Sequence, residues 1–342
     1  MEPVVAAQHL REVASPERTG ERATARLEDV LAVFHDDLGW VDRELARTVQ
    51  DGLEPGIDAA RHLHAAGGKR VRPLCVMLAA GCFGDIPSAA RDLAVSAELV
   101  HLATLLHDDV VDDGSERRGL PTARRLWGNA VSVLAGDLLL THALERTAKA
   151  SPGPVLGELF ATLRALVDGE IVQLRGRTRL DLAEATYFRI VQDKTASLFR
   201  WAARSGARVA GAPPDAIDAL GEFGAHLGVA FQLVDDALDY ANGGTGKDLF
   251  ADLREGKLTL PLLRAVAGRD DLIALLAAVR AGDDGAGTPL LAAVRASRAV
   301  DEARAVARDE TRAALAALER VPPSKARELL AAVARELTSR AS

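Results

Sequence analysis

The sequence predicts an all-α protein, a single-domain helical bundle, on three observations. Ala, Leu, Arg and Glu dominate while β-branched runs stay short, and apolar residues recur at spacings of three and four. At 342 residues and 48% apolar content, the chain is long enough to bury one large core. Gly- and Pro-rich breakers fall between the helical segments at short intervals, as in a bundle.

In chain order, residues 1–22 read as a loose polar arm and 23–342 as the domain. From Ala23 to Val49, Leu27, Leu31, Phe34, Leu38, Val41 and Leu45 form one stripe of an amphipathic helix. Breakers follow at Gly67-Gly68, Gly84 to Pro87, Gly119 to Pro121, Ser151 to Pro154, Gly211 to Pro214 and Asn242 to Gly244. Residues 282–288 are expected to form a surface loop. No repeat of 20–50 residues and no low-complexity linker divides the chain.

Lys and Arg number 42 against 49 Asp and Glu, a net charge of −7, which excludes a nucleic-acid binder driven by overall positive charge. The longest stretches free of charge, Pro73 to Gly84 and Phe223 to Val234, are far shorter than the roughly 20 residues of a spanning helix, so no transmembrane segment is expected. Glu2, Arg11, Glu12, Glu17 and Arg18 break the N-terminal segment without an apolar run, and a cytoplasmic location is expected. Cys75 and Cys82 have no second ligand pair and read as small core residues.

Two segments repeat one carboxylate pattern, Asp108-Asp109-Val110-Val111-Asp112 and Asp235-Asp236-Ala237-Leu238-Asp239. On a helix the first and fifth residues lie one turn apart on the same face with the second beside them, a claw of oxygen ligands. Clustered carboxylates repel unless a cation joins them, and hard oxygen donors suit Mg²⁺, which fills its octahedron with water and substrate phosphate. Asp36-Asp37, Asp270-Asp271 and Asp283-Asp284 lack the third residue and read as solvated faces. Cations stand where a diphosphate would need them: Lys69, Arg70 and Arg72, then Arg117 and Arg118.

With these residues the chain resembles the trans-isoprenyl diphosphate synthases, most closely their medium- and long-chain members. The resemblance runs from about Leu38 to Leu262 through Gly67-Gly68-Lys69-Arg70-Val71-Arg72-Pro73, His101, Leu105 to Asp112, Arg117-Arg118-Gly119, Gly169-Glu170-Ile171-Val172-Gln173, Lys194-Thr195, Phe231 to Asp236, Gly246-Lys247 and Glu255-Gly256-Lys257. It implies an isoprenoid-synthase bundle around a central cavity, with the two claws facing across its mouth and three Mg²⁺ bound with an allylic diphosphate. It implies that Lys69, Arg72, His101 and Arg118 contact isopentenyl diphosphate, and that Arg117, Lys194, Thr195, Gln232, Lys247 and Lys257 contact the allylic diphosphate. The implied metal ligands are Asp108, Asp112 and Asp235, with Asp109, Asp236 and Asp239 as outer ligands. A homodimer is expected, with a heteromer as the alternative.

One helical turn, 5.4 Å, approximates one extended isoprene unit, so each turn before the first claw is a possible floor for the product. Thr104, Ala103 and Val100 occupy that face and none is aromatic, which resembles enzymes making products of C30 to C50; a short-chain synthase of C15 to C20 is the alternative. A class I terpene cyclase fits less well because the second motif is again an Asp claw. A non-catalytic subunit would be expected to have lost claw aspartates. The Glu98-x-x-His101 spacing lacks the second copy that a di-iron bundle needs. Gly243 to Asp248 lacks the spacing of a phosphate loop, and the C-terminal end lacks the family's Tyr, having Ser324-Lys325-Ala326-Arg327 instead.

Overall fold

The computed structural model describes residues 35–151, 153–241 and 247–339. Among them helices dominate, and the only strands are two residues long. Helix α1 (His35–Thr48) turns Leu38, Val41 and Leu45 inward, as the apolar stripe requires. The earlier part of that stripe and the arm 1–22 lie outside the described residues, as does the segment 242–246.

After α2 (Gly56–Ala65), Gly67 at φ 80° and Arg70 at φ 49° bend the chain into α3 (Val71–Gly81), which is buried on nearly every side. Helix α4 (Ser88–Val111) starts behind Pro87, whose extended backbone cannot continue a helix, and ends in the first claw. A small hairpin follows, β1 (Glu116–Arg117) against β2 (Leu120–Pro121), and the positive φ of Arg118 and Gly119 supplies the two-residue turn that matches strand twist. Then come α5 (Ala123–Trp127), α6 (Asn129–Ala150), α7 (Pro154–Arg175) and α8 (Glu184–Val191). Helix α8 widens into a single π-helical turn, Gln192–Ala196, before α9 (Ser197–Val209) and the long α10 (Pro214–Ala241), which carries the second claw.

The rest comprises α11 (Lys247–Arg254), α12 (Leu260–Val266), α13 (Asp270–Arg280), α14 (Gly287–Ala296), α15 (Ala299–Leu318) and α16 (Lys325–Ser339). The loop expected over 282–288 is shorter: Asp284–Ala286 form a 3₁₀ turn and α14 begins at Gly287, because Leu290, Leu291 and Val294 make a buried stripe that the loop reading ignored. At α16, Ser324 Oγ accepts the Arg327 amide at 3.1 Å, an N-cap built from the residues that depart from the family pattern.

Backbone packing divides the chain into two compact units. The first runs through Leu159 and adds Ala202–Leu220 and Val321–Ala332; the second takes Phe160–Trp201, Gly221–Arg320 and the residues from Val333 on. In the first, α4 packs mainly on α6 and α3, burying Leu93, Leu99, Leu102 and Leu106, each side chain contributing roughly 1.5–3 kcal/mol. Both cysteines are free and buried here, and burial raises the Cys75 thiol to about 12 and the Cys82 thiol to about 11. In the second unit, Tyr187, Val191, Ala196, Val229, Leu233, Val234, Leu260 and Leu263 share one core, and α11 to α14 build another around Tyr240, Leu276 and Val294.

Candidate active site

The first unit gathers the basic residues around the buried end of α4. Arg70 turns inward at its left-handed backbone, with Nη1 2.5 Å from Glu98 Oε1 and Nε 3.1 Å from Asp42 Oδ1. Burial penalises this guanidinium, but Glu98 and Asp42 together outweigh burial and raise its pKa. Sequence adjacency to Lys69 and Arg72 placed Arg70 among the diphosphate contacts; the structure spends its charge on two carboxylates inside the fold. Arg118 lies next to this pair, its Nη1 near the α-carbon region of Gly68 together with Arg70 Nη1 and Glu98 Oε1.

His101 sits within the same cluster. Burial, then the charges of Arg72, Arg118, Arg70 and Arg117, hold its pKa well below the usual value, so the ring is neutral at pH 7. A neutral imidazole has one N–H to donate. Lys69 and Arg72 are half-buried on either side of Arg70.

The first claw occupies the last turn of α4. Asp112 follows its final residue and donates its amide to the Asp108 carbonyl at 2.8 Å, while the Gly114 amide closes on the Asp109 carbonyl at 2.9 Å. Asp109 is buried, and Arg117 grips its Oδ1 at 2.8 Å through Nε and through Nη2. Burial raises the Asp109 pKa, against the pull of Arg117. Within the first claw, Asp108 and Asp112 are the more accessible members.

On the second unit, Lys194 and Thr195 lie in the π-helical turn, an insertion that recurs at functional sites. Lys194 Nζ is paired with Glu170 and lies 3.2 Å from Gln173 Oε1, so α7 aims the ammonium. The pairing depends on Gly169, where a Cβ would stand 2.7 Å from Asp193 Cβ and 2.9 Å from Lys194 Cγ. Thr195 Oγ1 donates to Gln232 Oε1 at 3.0 Å. Gln232 Nε2 in turn donates to Asp236 Oδ1 at 2.9 Å, and Tyr187 donates to Asp236 Oδ2 at 2.6 Å.

Asp236 is raised to about 7, chiefly by burial and further by Asp239 and Asp235, although Tyr187 and Gln232 stabilise its carboxylate. Asp239 is raised to about 6 by burial, then by Asp252 and Asp235. Lys257 Nζ lies 2.9 Å from both Asp252 and Glu255. Lys247 opens α11, and its side chain lies outside the described ones.

Hard carboxylate oxygens crowded at the C-terminal ends of α4 and α10, where the helix dipole also disfavours negative charge, fit a divalent cation. Among the described residues no three acidic, His or Cys side chains come together in a group that could hold a metal ion. A divalent cation at either claw would need waters and substrate phosphate oxygens to complete its shell. Asp109 and Asp236 are the buried members of the two claws, and each carboxylate accepts from a protein donor, Arg117 and Tyr187 respectively.

The polyprenyl synthetase family model matches residues 57–286. The chain belongs to the polyprenyl synthetase family. Heptaprenyl diphosphate synthase component 2 of Geobacillus stearothermophilus is 36% identical over 310 residues, covering 89% of this chain and 96% of that protein. A short chain isoprenyl diphosphate synthase of Methanothermobacter thermautotrophicus is 34% identical over 315 residues, covering 90% and 97%. Among solved structures, a polyprenyl synthase from Caulobacter crescentus CB15 complexed with calcium and isoprenyl diphosphate superposes with a TM-score of 0.86 at 36% identity, covering 96% of this chain and 100% of that one.

Of the residues that the structure gathers around the second claw, sequence reading missed Tyr187 and Asp252 entirely. It quoted Glu170 and Gln173 without giving them a task. Of the residues assigned to product length, Thr104 is on the partly accessible stripe of α4 with His101, Leu105 and Asp108, and its Oγ1 donates to the His101 carbonyl at 2.8 Å. Ala103 and Val100 are buried against the packing of the first unit.

Proposed function

We propose that this polyprenyl synthetase family member is a prenyltransferase that condenses isopentenyl diphosphate with an allylic diphosphate, extending an all-trans chain to roughly six to ten isoprene units, one unit per helical turn of the α4 face. The single observation that carries this reading is the pair of aspartate claws ending two buried helices, each beside its own set of cations and hydrogen-bond donors.

Isopentenyl diphosphate is assigned to Lys69, Arg72, Arg118 and neutral His101. Arginine forks hold its phosphate oxygens, and the buried Arg70–Glu98 pair holds the loop that presents them. The allylic diphosphate is assigned to Arg117, Lys194, Lys247 and Lys257. Three Mg²⁺, held by Asp108, Asp112 and Asp235 with Asp239 at the edge, would supply positive charge for the phosphate oxygens. This requires the two claws to face one cavity, as the family reading implies.

As the allylic C–O bond breaks, negative charge builds on the departing diphosphate, and fixed cations stabilise it there. Lys194, aimed by Glu170 and Gln173, is one of them. The oxygen dipoles of Thr195 and Gln232 face the carbocation left behind. The isopentenyl double bond attacks that cation, a new C–C bond forms, and the departed diphosphate takes the proton lost from the adduct.

A short-chain product is the second reading, favoured by the burial of Ala103 and Val100, which narrows the face below Thr104. A homodimer is supported by exposed apolar side chains at helical spacing, Phe160, Val167 and Ile171 on α7 and Leu134 on α6. The name of the Geobacillus relative, a component 2, supports testing a dissimilar second subunit as well. No described helix is long and apolar enough to cross a membrane; a cytoplasmic location is part of the proposal and rests on the sequence expectation.

The direct test of the claw assignment is turnover by Asp108→Ala and Asp235→Ala. Each is expected to lose at least 100-fold in condensation rate with its circular dichroism unchanged. Near-wild-type turnover in either overturns the assignment.

A further inference from the structure

Tyr187 lies seven residues before Lys194, on α8, and its hydroxyl is buried against the second claw. Its ring is anchored in the core that also holds Val191, Ala196, Val229 and Leu233, and Phe188 meets it edge-on at 5.3 Å. The hydroxyl therefore has one well-defined direction, toward Asp236 Oδ2 at 2.6 Å. The other carboxylate oxygen, Oδ1, accepts from Gln232 Nε2 at 2.9 Å.

Donor and acceptor types then fix the sense of every bond in the chain. In its ionised form Asp236 only accepts, and the Gln232 amide then presents its NH₂ to Oδ1 and its oxygen to Thr195. The Thr195 hydroxyl must then donate its proton to Gln232 Oε1, which leaves the Thr195 oxygen lone pairs directed away from Gln232. An oxygen so oriented presents a negative dipole, which is what an allylic cation needs and what an unfixed hydroxyl would supply only part of the time. Position is fixed too: at Gly228 a Cβ would stand 2.6 Å from Ala196 Cα, so the missing side chain lets α10 approach the π-helical turn closely enough for the Thr195–Gln232 bond.

We propose that Tyr187 is a positioning residue, and that Tyr187 and Asp236 form a bracket that sets the orientation of the Gln232 amide and, through it, of the Thr195 hydroxyl. Asp236 on this account works through its hydrogen bonds rather than as a metal ligand. The inference rests on the prenyltransferase reading for its catalytic consequence, whereas the bracket itself is a structural claim.

Two measurements separate the two. The first is crystallography of the wild type and of Tyr187→Phe, at a resolution that distinguishes the Gln232 rotamers. The expected result is Gln232 within hydrogen-bond distance of Asp236 and Thr195 in the wild type, and displaced or flipped away from Thr195 in the variant. An unmoved Gln232 in Tyr187→Phe overturns the bracket whatever the turnover. Tyr187→Phe keeps the ring that the core needs; should it still fail to crystallise, Asp236→Asn serves the same comparison.

The second is kinetics, with wild-type condensation as the check on the prenyltransferase reading. Tyr187→Phe is expected to lower kcat about 10-fold, with the KM for isopentenyl diphosphate and the Mg²⁺ concentration for half-maximal rate each within about twofold of wild type. The Tyr187→Phe/Asp236→Asn double variant is expected to be no slower than Asp236→Asn alone. Multiplicative losses, or a tenfold shift in Mg²⁺ requirement on Asp236→Asn, overturn the proposal. A wild type without turnover contradicts the prenyltransferase reading and leaves the bracket to be judged on the crystal structures.

Discussion

Arg70 Nη1 lies 2.5 Å from Glu98 Oε1, with both side chains buried, so a loop residue and a mid-helix residue form an ion pair beneath the basic cluster. Asp42 on α1 adds a second contact at 3.1 Å. Three elements far apart in sequence are tied at one guanidinium. The pair explains why a glutamate can occupy the buried interior of α4.

Breaking a buried pair from one side leaves a charge without compensation, which costs more than the pair itself contributes. Glu98→Gln is therefore expected to lower stability by about 3 kcal/mol, near the low end for such pairs because Asp42 remains. Guanidinium denaturation midpoints measure this. A midpoint equal to wild type would mean that Arg70 is not held by Glu98.

Asp239, raised to about 6, gives a pH dependence with a definite sign. Its folded pKa lies above the unfolded value, so its contribution to the metal-free protein's stability is full below about pH 4 and is lost as pH rises through about 6. A cation at the second claw must displace that proton at low pH but not at high pH. The Mg²⁺ half-saturation concentration should then fall about fourfold between pH 5.5 and 7.5, and Asp239→Asn should flatten the profile. Mg²⁺ titration of the rate at each pH provides the reading, and a pH-independent half-saturation in the wild type would remove Asp239 from the metal site.

Thr104 is the accessible member of the product-length face, whereas Ala103 has little room around it. Thr104→Phe should shorten the longest product by at least one isoprene unit, since a phenyl ring spans about one helical turn. Ala103→Phe should shorten it as well, but with a loss of stability of about 1–3 kcal/mol from overpacking. Mass measurement of the products, with melting temperatures alongside, distinguishes these. An unchanged product spectrum in both variants would place the floor on another helix.

Much of this site was legible in the sequence because its spacing is local. The two claws obey helical geometry, Asp108 with Asp112 and Asp235 with Asp239, and one turn of helix is enough to see them. Arg70 was not readable as the partner of Glu98, since its neighbours Lys69 and Arg72 look alike in sequence and only the φ of 49° turns its side chain inward. Tyr187 and Asp236 are 49 residues apart, and no pattern within either segment announces a hydrogen bond between them. Glu170 and Gln173 share one face of α7, a spacing that could have suggested a joint task, but their partner Lys194 lies in a π-helical turn that has no sequence period of its own. Local repetition is visible to sequence reasoning; the pairing of elements that sets the supporting residues is not.

The measurement that tests the central claim most directly is the mass of the products formed when the purified protein alone is incubated with Mg²⁺, isopentenyl diphosphate and a series of allylic primers. Chain elongation predicts polyprenyl diphosphates that grow by whole isoprene units and end at roughly six to ten of them, with no product when Mg²⁺ is chelated. A cyclised hydrocarbon, or no condensation with any primer, would contradict the claim that this chain by itself is an elongating prenyltransferase.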